Sequence, residues 1–194
     1  ASPPPDMLCL VREAGWPVES QEEIASALAS ALPTCSGTEW ADLKTVVRSL
    51  AYVADPPMGA RNMARFLRAV PNHGDELRLL AENVEHRHFL SSLFSFSQLL
   101  SDMIISEPDR FDWLLLRGNL WRETDLELYR EQLAEIVGSK QGDELLRALH
   151  WFRDRELLRI GLRDVQELAD EASLCRELSA LAQSIIEAIT ADAR

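Results

Sequence analysis

Apolar residues along this chain recur at intervals of three and four, and almost nowhere alternate with polar ones, so the pattern predicts helices throughout and no sheet. In "PVESQEEIASALASALP" Ser20 and Glu23 have the spacing of a capping box, Ile24, Ala27, Leu28, Ala31 and Leu32 share one face, and Pro33 closes the helix. In "SGTEWADLKTVVRSLAYVADPP" Ser36 and Glu39 offer a second box, Leu43, Val46, Val47, Leu50 and Val53 form the stripe, and Pro56 with Pro57 ends it. A short helix over 58–70 turns Met63, Phe66, Leu67 and Val70 inward, and a short acidic one follows over 73–87.

The segment 88–106 is apolar on most sides, with Leu90, Leu93, Phe94, Leu100, Met103, Ile104 and Ile105 separated mainly by serines; it is expected to be the most buried helix. Ser106, Pro108 and Asp109 mark the next start, which packs Phe111, Trp113, Leu114 and Leu115 before Gly118. Thr124 and Glu127 box a further helix that runs to Gly138. Two longer helices, about 143–169 and 172–190, complete the chain, and their short joint near Asp170 predicts an antiparallel hairpin. The expected fold is an all-α array of about nine or ten helices, divided into an N-terminal helical subdomain over 1–87 and a C-terminal one over 88–194.

Composition narrows the function more than the fold. A net charge of -12 argues against broad attraction to nucleic acid or an anionic membrane. No apolar run approaches the roughly 20 residues that cross a bilayer, so the cytoplasm is the default location. Cys9, Cys35 and Cys175 are far apart and odd in number, which gives neither a disulfide framework nor a zinc set.

Candidate chemistry is sparse. "GNLWRETDLEL" imitates a metal-holding carboxylate pair in Asp125 and Glu127 after a Gly118–Asn119 turn, but the Thr124/Glu127 spacing fits a helix start, where acidic residues are favourable in any protein. His86 and His88, two apart, do not converge on one metal from a helix. No catalytic, metal or cofactor-binding residue is assigned.

The conspicuous feature is "LHWFRDRELLRIGLRD", which puts Arg155, Arg159 and Arg163 four residues apart, where like charges repel by a few tenths of a kcal/mol. Glu156 is within helical reach of Arg153 and Arg159, and Glu167 of Arg163. The stripe Leu149, Phe152, Leu157, Ile160, Val165 and Leu168 brings Arg153, Arg159 and Asp164 to the core margin, where neighbours are expected to engage them. The set Arg153, Arg155, Glu156, Arg159, Arg163 and Asp164 is therefore expected to brace helices or dock a further domain, with bracing at Arg153 and Arg159 and more docking at Arg163.

This stretch resembles the glutamine synthetase adenylyltransferase family, whose arginine helix has the form L-x-x-F-R-x-R-E-x-L-R-I-x-x-R-D. The agreement is at Leu149, Phe152, Arg153, Arg155, Glu156, Leu158, Arg159, Ile160, Arg163 and Asp164. The family's next block, L-A-D followed by E-L-S-x-L-A, is similar through Leu168, Ala169, Asp170, Glu177, Leu178, Ser179, Leu181 and Ala182; upstream, Leu100, Ile104, Pro108 and Trp113 match. Where the family often has a Gly-Ser step, this chain has Phe94, Ser95, Phe96 and Ser97. The resemblance implies a helical region that precedes a nucleotidyltransferase domain, whose catalytic G-x-x-E-x-x-x-x-S-D-x-D-L would be expected beyond Arg194. It also implies ATP and magnesium for the full-length enzyme and glutamine synthetase as a partner, with this chain itself inactive. The acidic composition and lack of chemistry also fit a freestanding helical interaction domain.

Overall fold

The computed structural model describes residues 4–32, 37–138 and 140–192. Among them there are eleven α-helical segments and no strand. In order they are α1 Pro5–Glu13, α2 Val18–Ala31, α3 Gly37–Leu50, α4 Pro56–Ala69, α5 His73–Glu82, α6 Val84–Phe96, α7 Gln98–Ser106, α8 Asp109–Phe111, α9 Leu126–Val137, α10 Gly142–Val165 and α11 Glu171–Asp192. A π-turn, Asp112–Leu116, continues α8, and a single 3-10 turn, Asn119–Trp121, follows it. The chain forms two compact units, Ala1–Asp109 and Arg110–Arg194; the division expected at 87/88 falls inside the first of them.

The extra helices arise where polar side chains interrupt a continuous apolar pattern. The segment 73–87 divides at Asn83, which ends α5 and then accepts the His86 N–H to begin α6. The single helix expected over 88–106 breaks at Ser97, whose Oγ accepts from Leu100 N at 3.3 Å. Asn62 of α4, itself buried, supports that break by donating to Phe94 O at 3.0 Å. Leu90, Leu93, Phe94 and Ile104 are in the core, but Leu100, Met103 and Ile105 are only half-buried, and Phe96 and Leu99 are exposed.

Several helix starts differ from the sequence reading for identifiable reasons. Pro17 adopts an extended conformation and begins α2 at Val18, so Ser20 lies inside the helix and caps nothing. The Pro56–Pro57 pair starts α4 instead of ending α3: proline suits the first turn because its missing N–H would be unsatisfied there anyway. Asp55 is the cap, accepting from Met58 N at 2.9 Å. Ser106 is the last residue of α7, and its hydroxyl donates back to Met103 O. Pro33, Cys35 and the Ser36 cap lie outside the described residues.

The first unit packs α4 centrally, against α2, α6 and α7. Gly59 permits a close approach there: a Cβ would lie 3.4 Å from both Leu50 Cδ2 and Ser95 Cβ. Phe66 and Phe94 meet at 5.6 Å between ring centroids in the same core.

The second unit is built on α9, α10 and α11, whose core contains Tyr129, Leu133, Leu145, Leu149, Phe152, Ile160, Leu174 and Leu181. Tyr129 and Phe152 pack edge to face, with centroids 6.0 Å apart. α10 ends at Val165, four residues short of the expected limit, in a Schellman turn: Leu168 N donates to Arg163 O and Glu167 N to Asp164 O. Glu167 takes the left-handed position, φ 54°, where glycine is usual. Asp170 then accepts from Ser173 N at 2.6 Å and starts α11, so the chain reverses within five residues.

Candidate functional site

Along α10 the buried positions Leu145, Leu149, Phe152, Glu156, Arg159 and Arg163 follow one another at intervals of four and three. This is a core-facing helical stripe whose first half is apolar and whose second half is charged. Facing it, α11 buries Leu174, Glu177, Leu181 and Ser184 at the same intervals. The antiparallel hairpin thus matches two arginines of one helix to a carboxylate of the other.

Arg159 is the hub, 1% exposed. Its Nε donates to Glu156 Oε2 at 2.8 Å, its Nη1 to Arg122 O at 2.5 Å, and its Nη2 to both Tyr129 OH at 2.8 Å and Glu177 Oε1 at 2.5 Å. Only arginine presents donors in several fixed directions from one planar group; an ammonium in the same place could not span these acceptors. Arg163 Nη1 donates to Leu120 O at 3.4 Å, while its Nε lies 3.5 Å from Glu177 Oε2. Neither of those last two atoms has a hydrogen bond, so their attraction is ionic.

The acceptors explain what the charges do structurally. Residues 117–125 connect the π-turn to α9 through the 3-10 turn and irregular backbone on either side of it, which leaves polar groups without a regular ladder. The carbonyls of Leu120 and Arg122 receive the two arginines, and the Thr124 N–H donates to Glu177 Oε1 at 2.8 Å. Glu123 accepts from Ser173 Oγ at 2.7 Å. The loop is therefore clamped onto α10 and α11 at four successive points, Leu120, Arg122, Glu123 and Thr124. Leu120 and Thr124 face inward, while Trp121, Arg122 and Glu123 face solvent.

Arg155 closes the outer end of the row. Its guanidinium lies 4.3 Å from the Trp113 ring, 4.9 Å from Trp151 and 5.2 Å from Phe152, and its Nη2 pairs with Glu156 Oε1 at 2.7 Å. Three guanidiniums here share two carboxylates, Glu156 and Glu177. Burial holds the Tyr129 hydroxyl above the ordinary phenol range; the nearby Arg159 opposes that shift only in part. Burial works against the charge of Arg159, yet Glu156, Tyr129 and Glu177 together keep its affinity for the proton above the usual arginine value.

Of the six residues singled out in the sequence, Arg155, Glu156, Arg159 and Arg163 converge. Arg153 and Asp164 do not: both are exposed, and Arg153 pairs with its neighbour Asp154 at 2.8 Å. The apolar stripe traced through Leu157 and Leu168 misplaces the core face, since both side chains are exposed and the face is completed by charges instead. Arg163 meets Glu177, whereas Glu167 is exposed in the turn. Glu177 and Tyr129 have central places that the sequence reading did not assign. The three-and-four spacing of Leu174, Glu177, Leu181 and Ser184 was the available signal for Glu177.

The Asp125/Glu127 pair has structural partners. Asp125, not Thr124, caps α9, accepting from Leu128 N at 2.9 Å, and Glu127 pairs with Arg130 at 3.1 Å. Among the described residues no group of three His, Cys, Asp or Glu side chains is placed to hold a metal ion. Asp125 and Glu127 are thus engaged as a helix cap and an ion pair, and no step is assigned to them. No helix among the described residues is long and apolar enough to cross a membrane.

The fold and its buried arginine clamp define an all-α scaffold built to hold an irregular loop. Residues 87–193, more than half of the chain, match the family model for glutamate-ammonia ligase adenylyltransferase, and the chain belongs to that family. It is similar to the bifunctional glutamine synthetase adenylyltransferase/adenylyl-removing enzyme of Pseudomonas putida, with 33% identity over 132 residues, 68% of this chain and 13% of the relative. It is also similar to the enzyme of the same name from Hahella chejuensis, with 26% identity over 154 residues, 78% of this chain and 16% of the relative. The chain thus spans only a small part of the length of these relatives.

Proposed function

We propose that this chain is a non-catalytic helical portion of a glutamine synthetase adenylyltransferase-like protein. In this reading its second unit packs against, or positions, a nucleotidyltransferase domain of the same polypeptide, in the cytoplasm. The whole protein would then regulate glutamine synthetase by adding and removing AMP, with ATP and magnesium bound in that other domain. The observation that carries the reading is that the family match, residues 87–193, takes in all of the arginine clamp. A clamp that fixes a loop with buried charges, when apolar side chains would hold a helix hairpin as well or better, suits a surface whose shape must be kept.

The test compares this chain with the longer reading frame from the same gene. Both are incubated with labelled ATP, magnesium and glutamine synthetase, and label on the synthetase is followed. The longer protein is expected to transfer AMP and this chain to transfer none. Transfer by this chain alone, or a reading frame that stops at Arg194 with no adenylyltransferase domain to bind, would overturn the proposal.

A further inference from the structure

The loop that the clamp fixes from inside has an outer side with chemistry of its own. Gly118, at φ 71°, reverses the backbone between the π-turn and the 3-10 turn, and Asn119 Nδ2 ties the two together by donating to Trp113 O at 2.7 Å. From Leu116 to Arg122 the exposed side chains are Leu116, at 51%, Trp121, at 55%, Arg117 and Arg122. Among the described residues no carboxylate pairs with either of these guanidiniums, in a chain whose net charge is -12. Glu123, the next acidic side chain, is engaged by Ser173 Oγ. The clamp itself uses only the carbonyl of Arg122 and leaves its side chain outside.

We propose, building on the function proposed above, that Leu116, Arg117, Trp121 and Arg122 are the patch that docks the nucleotidyltransferase domain of the same polypeptide. Trp121 enters an apolar pocket of that domain, and the two arginines meet carboxylates at the pocket's rim. The chemistry of the patch selects the character of its partner. Tryptophan and arginine are the side chains that most often carry binding energy at protein interfaces, and unpaired positive charges call for an acidic counterpart. Two copies of this patch would repel each other, so it does not serve self-association.

Size separates a tethered domain from a free partner. Four side chains on one turn fall well short of the about 800 Å² a side of a standard stable interface. A domain of the same polypeptide needs no more, because its tether holds it at an effective concentration of about millimolar. Matches that cover 13% and 16% of the relatives leave most of their length to supply such a domain. Rigidity agrees with this role: a loop already fixed at Leu120, Arg122, Glu123 and Thr124 loses little freedom on docking, so a small contact suffices.

The experiment is hydroxyl-radical labelling of Trp121, read by mass spectrometry of its peptide, in this chain and in the longer protein from the same gene. Glutamine synthetase is left out, and an added tryptophan peptide fixes the radical dose. Trp121 is expected to label several-fold more slowly in the longer protein. Arg117→Glu combined with Arg122→Glu returns that rate to the value for this chain. The same pair of changes leaves the melting temperature of this chain nearly unchanged, because both side chains lie outside the core. Equal labelling in the two proteins, while the longer one still transfers AMP, would overturn the docking patch and leave the function proposed above standing. Protection that survives the double charge reversal, or that appears only when glutamine synthetase is added, would overturn it as well. A longer protein that transfers no AMP, or a reading frame with no further domain, would remove that function and the patch with it.

Discussion

Arg159 and Glu177 lie 18 residues apart in sequence, on different helices, yet Nη2 of one is 2.5 Å from Oε1 of the other with both side chains almost fully buried. Their contact closes the α10–α11 hairpin. Through the remaining donors of Arg159 and the second bond to Glu177 Oε1, it also fixes the backbone at Arg122 and Thr124. One ion pair therefore joins two helices and a loop.

Removing the hub is expected to be severe. Arg159→Ala removes the donor shared by Glu156, Glu177, Tyr129 OH and the Arg122 carbonyl, leaving Glu156 to Arg155 and Glu177 to Arg163, a loss of about 3–5 kcal/mol, the range for breaking a buried pair. Arg159→Lys keeps the charge but cannot reach all four acceptors, so it recovers only part of the loss. Urea unfolding of the three proteins measures both; equal stability of the lysine variant and the parent would show that the forked geometry is unimportant.

The charge on Glu177 should matter more than that on Glu187, although both pair with arginine. Glu177 serves Arg159 and Arg163 in the core, whereas Glu187 pairs with Arg130 on the exposed side of α9 and α11. Glu177→Gln leaves three guanidiniums with one carboxylate and lowers the melting temperature well beyond the effect of Glu187→Gln, whose pair is screened by water.

The Arg130 guanidinium, with Gln183, holds the Glu187 carboxyl down to about 2. A depressed folded-state value contributes stability that is present above the unfolded carboxyl range, near 4.3, and is lost as pH falls through the folded value. The Glu187 side-chain carbon resonance should accordingly titrate near 2 in the parent and move upward in Arg130→Met. An unchanged midpoint in that variant would remove Arg130 as the cause.

Tyr129 makes the opposite kind of prediction, at alkaline pH. Burial raises its folded-state value above that of the unfolded phenol, about 10, so the unfolded chain loses this proton first. Stability should fall as pH rises beyond about 10, and Tyr129→Phe should flatten that fall while losing the hydrogen bond to Arg159. Chemical denaturation between neutral and strongly alkaline pH supplies the comparison.

The joint between the last two helices can be improved. Glu167 occupies the left-handed position of the Schellman turn, a conformation that costs a side-chain-bearing residue about 1–2 kcal/mol. Glu167→Gly relieves it and, after the added freedom of the unfolded chain, stabilises by a few tenths to about 1 kcal/mol. Destabilisation by this change would mean that the Glu167 side chain makes a contribution beyond the turn.

Period and composition determined by themselves that the described residues are helical, with no strand among them, because apolar residues three and four apart can share only a helical face. The family resemblance was likewise legible in the ordered blocks around Arg155 to Asp164 and Leu168 to Ala182. Tertiary structure decided where helices stop. Asn83, Ser97 and Asp125 cap because neighbouring backbone needs an acceptor there, whereas Ser20 had the same local spacing and was absorbed into a helix that begins at Val18, directly after Pro17. It also decided which face of α10 is inside. Hydrophobicity pointed to Leu157 and Leu168, but a charge whose partners arrive from another helix can occupy a core position, and Glu177 and the carbonyls of Leu120 and Arg122 come from 14 to 43 residues away from the arginines they satisfy. A pattern within one helix carries no record of such partners, which is why the burial of Arg163 beside Glu177 and the Leu120 carbonyl was not legible there.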